Sequence, residues 1–312
     1  MNTSFSRDCP ELQLAVDSTS LGEFKKCPRS YYYAIVQGWE PRKTSVHLEF
    51  GIWFHGACER YDHARARGED HSQALRDAVG WTLAQTWDKK LNRGWISDHP
   101  FKTRFTLVQT LVLYMDHFAN DESMETHILA NGKPAVEVSF SFDAERTSAV
   151  TGEPQMLCGH LDRVVRFSDQ FYISDRKTTG MALGPGFFRQ FSPNNQMSLY
   201  TAAGFITLGI PVRGVIIDGI QVLVQTARFE RGLAHRTHAQ IEEWISGTHQ
   251  WLESMDRCAE MGQWPMNDKS CDMYGGCQFR EVCSRPPGAR DQWLKMNYKK
   301  RIWDPLLRRG DV

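Results

Sequence analysis

The chain has 312 residues, of which 41% are hydrophobic, and its 37 basic and 37 acidic side chains leave no net charge. This length can bury a large core, but the zero net charge produces no overall field that would attract nucleic acid. No stretch approaches the roughly eighteen apolar residues of a membrane span, and residues 1–13 lack the apolar core of a signal peptide. We therefore expect a cytoplasmic protein whose function resides in local clusters of residues.

The first part of the chain reads mainly as helices. Ser20 and Glu23 have the spacing of a capping box, which predicts a helix that begins there and continues through the tyrosines at 31–33. Apolar periodicity predicts further helices over 47–67, 71–92 and 103–119. Trp81 and Trp87 fall on a stripe of the second of these that we expect to be buried.

The remainder of the chain alternates between strands and helices. Runs of apolar and β-branched residues predict strands near 135–143, 156–167, 170–177 and 212–224. Helical periodicity predicts helices over 193–208 and 237–261. The glycines and proline of 178–190 predict a flexible loop. Three strands followed by a helix and a strand suit an α/β fold with a mixed sheet flanked by helices.

Acidic and basic residues occupy two neighbouring strands of this predicted sheet. Asp175 and Lys177 lie two residues apart, so on a strand they point to the same face. Asp162 lies on the preceding strand, which a short hairpin connection at 168–170 joins to the next. Two carboxylates and a lysine would therefore converge at one edge of the sheet.

This combination of residues suggests metal-dependent hydrolysis of a phosphodiester. Carboxylate oxygens bind hard cations such as Mg²⁺ or Mn²⁺, and a bound cation lowers the pKa of its water and offsets charge on phosphate. A lysine can orient that water or stabilise the transition state. The spacing alone leaves one alternative open, namely a surface hairpin with scattered charges.

Cysteines form the second notable pattern. Cys271, Cys277 and Cys283 recur every six residues, with a Gly-Gly pair that allows a tight turn between the first two. Regularly spaced thiols suggest a soft metal, and Cys27 is the best candidate for a fourth ligand. The other cysteines lack such spacing, and without a secretion signal we expect free thiols rather than disulfides among them.

Residues 285–312 are basic. They contain eight basic and three acidic side chains, a net charge of +5, with Trp293, Tyr298 and Trp303 interleaved. The basic residues are Arg285, Arg290, Lys295, Lys299, Lys300, Arg301, Arg308 and Arg309. This segment either contacts a phosphate backbone and stacks on bases or forms a solvated amphipathic tail.

Four motifs in order resemble the PD-(D/E)XK nuclease superfamily, and specifically its RecB-like branch. They are a GxxxH ending at His55, a GxxD ending at Asp162, a DxK at Asp175 and Lys177, and a QxxxY from Gln196 to Tyr200. Together they extend from 51 to 200. The resemblance implies a restriction-endonuclease-like core, with a mixed β-sheet flanked by helices, a helical N-terminal region and a metal-cluster segment that joins the chain ends.

The resemblance also implies a role for each motif residue. The implied metal ligands are His55, Asp162, Asp175 and the backbone carbonyl of Arg176. The implied catalytic residues are Asp162, Asp175 and Lys177, with Gln196 and Tyr200 positioning DNA or supporting the site. Asp175 stands where glutamate is commoner in the branch, and its shorter side chain would alter the metal geometry. Glu137 matches only loosely, and it is either an exposed strand residue or a support for the site.

For the cysteines the resemblance implies a [4Fe–4S] cluster. In RecB-like nucleases that carry one, a cysteine ahead of the core joins three after it, as Cys27 would join Cys271, Cys277 and Cys283. The six-residue spacing departs from these families, which often place the first two C-terminal cysteines closer together. Zinc bound by four thiolates and the absence of any metal remain alternatives, because cluster-free relatives share the sequence context of Cys27.

The implied organisation is a helical region at 1–125, a nuclease core at 126–230 and a C-terminal part at 231–312, together forming one nuclease domain. We expect a DNA exonuclease of a prokaryotic or phage-infected cell, which acts on single strands or DNA ends in recombination, repair or phage DNA metabolism. It would act as a homo-oligomer or with a recombination partner. The alternatives are a nuclease-fold protein that binds DNA or a partner without cutting, and an iron–sulfur sensing protein.

Overall fold

Helices and strands alternate along the chain in a computed structural model that describes residues 4–307. The α-helices are α1 Ser18–Lys26, α2 Pro28–Tyr31, α3 Val46–Ala66, α4 His71–Gln85, α5 Arg104–His117, α6 Pro185–Phe188, α7 Asn195–Leu208, α8 His238–Met261, α9 Arg280–Cys283 and α10 Pro287–Asn297. A π-helical turn, Tyr32–Val36, continues α2, and 3₁₀ turns occupy Arg189–Phe191, Asp268–Ser270 and Met273–Gly275. Two residues of the predicted basic segment, Arg308 and Arg309, lie outside the described residues.

The strands are β1 Ala15–Val16, β2 Trp39–Pro41, β3 Trp87–Asp88, β4 Arg93–Gly94, β5 Met124–Thr126, β6 Val136–Thr147, β7 Pro154–Phe167, β8 Gln170–Thr179, β9 Val212–Val222, β10 Ala227–His235 and β11 Tyr298–Lys300. Seven strands of the described chain form one mixed sheet in the order β1-β7-β8-β9-β10, with β5 and β6 also paired to β7. Strand β8 is antiparallel to β7 and parallel to β9. The predicted α/β fold, a mixed sheet flanked by helices, is thereby confirmed.

The chain divides into two compact units, Met1–Lys43 with Ser139–Gly159 and His238–Val312, and Thr44–Val138 with His160–Thr237. In the second unit, α3 packs against α4 and α5, and α7 packs on β9. The core of this unit includes the buried side chains of Phe50, Phe54, Leu107, Leu111 and Ile220. None of the described helices combines the length and the apolar character needed to cross a membrane.

Helix α1 begins two residues earlier than predicted. Asp17 is its N-cap, because its carboxylate accepts the backbone N–H of Ser20, whose hydroxyl in turn accepts the backbone N–H of Asp17. The helix also stops short of the tyrosines. Cys27 is extended, since Pro28 disfavours a helical conformation in the residue before it. The predicted single helix is therefore two helices, and Cys27 lies at the break.

Helix α4 ends seven residues before its predicted end at 92. The carboxylate of Asp88 accepts the backbone N–H groups of Lys90 and Leu91, which fixes a turn between β3 and β4. Trp87, which we predicted to be buried, is 42% exposed in this hairpin. The guanidinium of Arg104 lies 5.5 Å from the centre of its ring.

Candidate active site

Strand β8 carries the acidic and basic residues of the candidate site. Alternation along the strand directs Asp175 and Lys177 to one face and Arg176 to the other. The Lys177 ammonium lies 2.8 Å from Oδ2 of Asp175. Asp175 is buried and only 1% exposed. The same ammonium donates a hydrogen bond of 2.9 Å to Oε1 of Gln196. The lysine is thus held between the strand and helix α7.

Helix α7 carries Gln196, the second partner of Lys177, in its first turn. Asn194 is its N-cap and accepts the backbone N–H groups of Gln196 and Met197, which orients the first turn. The Gln196 side-chain amide donates to the hydroxyl of Tyr200 at 2.9 Å, one turn further along the same face. A continuous series of contacts therefore runs from the carboxylate on β8 through lysine and amide to the Tyr200 phenol.

Helix α3 and strand β7 contribute the other pair. Nδ1 of His55 lies 3.1 Å from Oδ2 of Asp162, which also accepts the backbone N–H of Arg176 at 3.3 Å. The hairpin register pairs Arg163 with Ser174. Arg163 directly follows Asp162 in the chain, and Ser174 directly precedes Asp175. The residues of all four predicted motifs thus come together at this edge of the sheet.

Burial and neighbouring charges shift the pKa values in this site in opposite directions. Burial would raise the pKa of Asp162, but the charge and hydrogen bond of His55 outweigh it and hold that pKa well below its usual value. Burial raises the pKa of Asp175, and the nearby charge of Asp162 adds to the rise, although Lys177 opposes it. One carboxylate is therefore firmly ionised, and the other accepts a proton more readily.

The phenol of Tyr200 stays protonated at neutral pH. Burial raises its pKa well above the ordinary value, and the charges of Asp175 and Asp162 raise it further. Glu137 contributes in the same direction, so this loosely matching residue lies within electrostatic range of Tyr200. The backbone of Glu137 is left-handed, with φ of 48°.

Among residues 4–307, no three His, Cys, Asp or Glu side chains are grouped closely enough to hold a metal ion. In the candidate site the two aspartates are paired with His55 and Lys177 instead. The donor set still suits a hard divalent cation, because the buried carboxylate of Asp175, the partly buried carboxylate of Asp162 and an imidazole are ligands that such ions accept. A cation between Asp162 and Asp175 would also offset their mutual repulsion.

A buried ion network lies on the opposite face of β8. The Arg176 guanidinium is 2.7 Å from Oδ2 of Asp62 on α3, and its Nε donates to the Tyr114 hydroxyl at 3.0 Å. Arg163 lies 3.3 Å from the same aspartate. The motif resemblance implies only a backbone role for Arg176, and the role of its side chain was not predicted. The one feature of the sequence that could have indicated this ion pair is the acidic residue Asp62, seven residues after His55 on the same predicted helix.

The four predicted cluster cysteines share one neighbourhood. Cys27 accepts the backbone N–H of Asn267 at 3.3 Å, and the backbone N–H of Cys277 donates to the carbonyl of Cys271 at 2.8 Å. Partial burial raises the pKa values of the Cys271 and Cys283 thiols, and the nearby Cys277 and Cys27 thiols raise them further. Among these thiols the Cys27 sulfur accepts a backbone N–H, but no three of the described cysteines are grouped closely enough to hold a metal ion.

The basic segment is structured in its described part, where α10 and β11 account for much of 285–307. Strand β11 pairs with β2, and Lys299 and Arg301 lie 3.1 and 3.3 Å from the carboxylate of Glu40. The Lys300 ammonium lies 3.6 Å from the centre of the Trp39 ring. These cations are therefore engaged within the fold and only partly available to a phosphate backbone.

Comparisons with known proteins identify the family of this chain. The sequence matches the PD-(D/E)XK nuclease superfamily over residues 18–284. The solved structure of a "putative exonuclease" from Eubacterium rectale is similar, with 14% identity, a TM-score of 0.51 and coverage of 93% of this chain and 96% of that one. The structure of SSO0001 covers 87% of each chain at 13% identity, with a TM-score of 0.36. No curated protein matches significantly. Because the match extends over most of its length, the chain belongs to the PD-(D/E)XK nuclease superfamily.

Proposed function

We propose that the protein is a Mg²⁺- or Mn²⁺-dependent deoxyribonuclease of the RecB-like branch. The observation that carries this proposal is the contact series from Asp175 through Lys177 and Gln196 to Tyr200, beside the pair of His55 and Asp162. A non-cleaving relative would have no need to keep a lysine in contact with both a buried carboxylate and an oriented amide.

The residues that would hold the metal are His55, Asp162, Asp175 and the backbone carbonyl of Arg176. A divalent cation there would supply a water of lowered pKa and offset charge on the phosphate. Lys177 is placed to donate a hydrogen bond to that water or to a phosphate oxygen. Because the Tyr200 phenol stays protonated and accepts from Gln196, the amide oxygen of Gln196 is turned towards the lysine and fixes its position.

We propose an exonuclease that acts on single-stranded DNA or DNA ends, in recombination, repair or phage DNA metabolism. The support is the structural similarity to the "putative exonuclease" from Eubacterium rectale. A homo-oligomer or a recombination partner protein would complete the assembly.

We also propose that Cys27, Cys271, Cys277 and Cys283 hold a [4Fe–4S] cluster, with zinc as the alternative occupant. The shared neighbourhood of these thiols supports this proposal. The cluster would have a structural role, because its ligands come from segments far apart in the sequence.

Cleavage assays of Lys177→Ala and Asp175→Asn test the nuclease proposal. Loss of a group that stabilises the transition state costs on the order of 10²–10³ in rate, so both variants should lose nearly all Mg²⁺- or Mn²⁺-dependent digestion of end-labelled DNA. The labelled products would also distinguish stepwise removal of nucleotides from internal cuts.

Lys133→Ala is the matched control, because Lys133 is an exposed lysine on the turn before β6. It should digest DNA at the wild-type rate. Melting curves of all three variants would separate a loss of catalysis from a loss of fold. A folded Lys177→Ala protein that digests DNA normally would contradict the proposal.

A further inference from the structure

Lys102 is a buried lysine outside the motifs. Lys102 is only 2% exposed. Its ammonium lies 5.2 Å from the centre of the ring of Phe50, a core residue. No carboxylate or carbonyl of residues 4–307 accepts a hydrogen bond from this ammonium or pairs with it. A buried cation is costly unless it is paired, so an anionic ligand would supply the partner that the described chain lacks.

Two histidines adjoin this lysine. The rings of His47 and His99 meet edge to face with centroids 4.8 Å apart, and the charge of Lys102 acts on His47. Nδ1 of His99 accepts the backbone N–H groups of Lys102 and Phe101 at 3.0 and 3.3 Å. His99 therefore carries its proton on Nε2, where it can donate to a ligand.

This cluster lies next to the catalytic strand. The ring of Phe101 packs so closely on Gly180, the residue after β8, that a Cβ there would lie 2.4 Å from it. His47 is on the same helix as His55, eight residues earlier, which corresponds to about 12 Å along the axis at about 1.5 Å per residue. A DNA strand covers this distance in a few nucleotides, at about 3.4 Å of helix rise per nucleotide.

We propose that Lys102, His47 and His99 form a phosphate-binding subsite for the DNA strand, a few nucleotides from the bond that is cut. The subsite deepens the proposed nuclease function and rests on it. One cation and imidazole N–H donors suit a phosphate group, whether it is an internal phosphodiester or the terminal phosphate of a strand.

Lys102→Met tests the subsite in the full-length protein. Methionine fills apolar space of similar length and removes the buried charge, so the variant should melt at the wild-type temperature or higher. Its affinity for a fluorescent single-stranded oligonucleotide, measured by anisotropy in EDTA, should fall about tenfold. The slope of log affinity against log salt should flatten by about 0.7 for one lost phosphate contact. Lys133→Met, on an exposed lysine, should change neither quantity.

Oligonucleotides with and without 5′- and 3′-terminal phosphates identify the source of the phosphate. If the subsite takes a terminal phosphate, its removal should weaken binding by the wild type but not by Lys102→Met. If the subsite takes an internal phosphate, the variant should lose the same factor on every oligonucleotide.

Wild-type affinity and salt slope in a folded Lys102→Met protein would overturn the subsite, as would a wild type that binds none of these oligonucleotides. The nuclease proposal fails separately, through normal cleavage by Lys177→Ala, because the binding experiment contains no metal and involves no cleavage.

Discussion

Among the single residues of this chain, Lys102 is a lysine that the fold buries. Lys102 has no acceptor among the described residues, and burial lowers its pKa to about 8. The nearest titratable groups are His47 and His99, which face it from α3 and from the loop before α5. A protein that needed this position only for packing would gain stability from an apolar residue there.

The stability cost of Lys102 should depend on pH. A lysine whose folded pKa is lowered destabilises the fold while it is charged, and the cost disappears as pH rises from the folded towards the unfolded pKa. Lys102→Met should therefore melt above the wild type near about pH 7, and this difference should narrow towards about pH 10. Thermal unfolding of both proteins across this range measures it. A difference that stays constant would mean that the Lys102 amine is hydrated.

Some residues of the site could be predicted from the sequence and others could not, for a physical reason. Asp175 and Lys177 were recognisable because a two-residue spacing on a strand fixes their common face. Lys102 gave no signal, since one lysine in a loop is ordinarily solvated and only the packing of Phe50 and Phe101 buries it. The role of Asp62 depends on strand β8, which brings Arg176 against it in the folded chain.

Among the helices and strands, α3 contributes paired residues to both faces of the sheet at strand β8. His55 contacts the site residue Asp162, and Asp62 on the same helix pairs with Arg176 on the opposite face. Burial would lower the pKa of the Arg176 guanidinium, but Asp62 outweighs it and raises that pKa well above the ordinary value. This pairing fixes the helix on the strand that carries the candidate catalytic residues.

Asp62→Ala should therefore destabilise the protein strongly. Removing one partner of a buried ion pair leaves an uncompensated charge and typically costs about 3–5 kcal/mol, and here both Arg163 and Arg176 would lose it. Urea unfolding measures the change. Asp291→Ala is the matched control, because its ion pair with Lys295 on α10 is solvent-exposed and such pairs contribute little. An equally small effect of Asp62→Ala would mean that water reaches the two guanidinium groups.

Elements were predictable from sequence where local signals decided them. The core strands β7, β8 and β9 and the helix α7 lie close to their predicted bounds because apolar runs and turn residues mark them. Strand β10 was not predicted, since Ala234 is its one fully buried residue and its pairing with β9 makes it a strand. Residues 178–190 were predicted to be a flexible loop, yet α6 forms within them and the 3₁₀ turn Arg189–Phe191 begins there.

At the scale of the whole molecule, the cysteines connect segments that lie far apart in the sequence. Cys27 lies where Pro28 interrupts the first helix. The other three cysteines follow α8 and come after Asn267, the hydrogen-bond partner of Cys27, which is itself 240 residues further along the chain. Nearby, Arg29 donates its backbone N–H to the carbonyl of Pro265 at 3.1 Å. A metal on the four thiols would add its binding free energy to folding.

Cys277→Ala tests this last proposal through metal content and melting. Anaerobically purified wild-type protein should be brown and contain about four irons per chain if the cluster is [4Fe–4S]. The variant should lose the colour, the iron and thermal stability together, because the free energy of metal binding contributes to folding. Cys258→Ala, at a partly buried cysteine outside the set, should keep the metal. A colourless wild type with one tightly bound zinc would favour the zinc site, and metal-free protein whose melting is unchanged by Cys27→Ala would show that these thiols only pack.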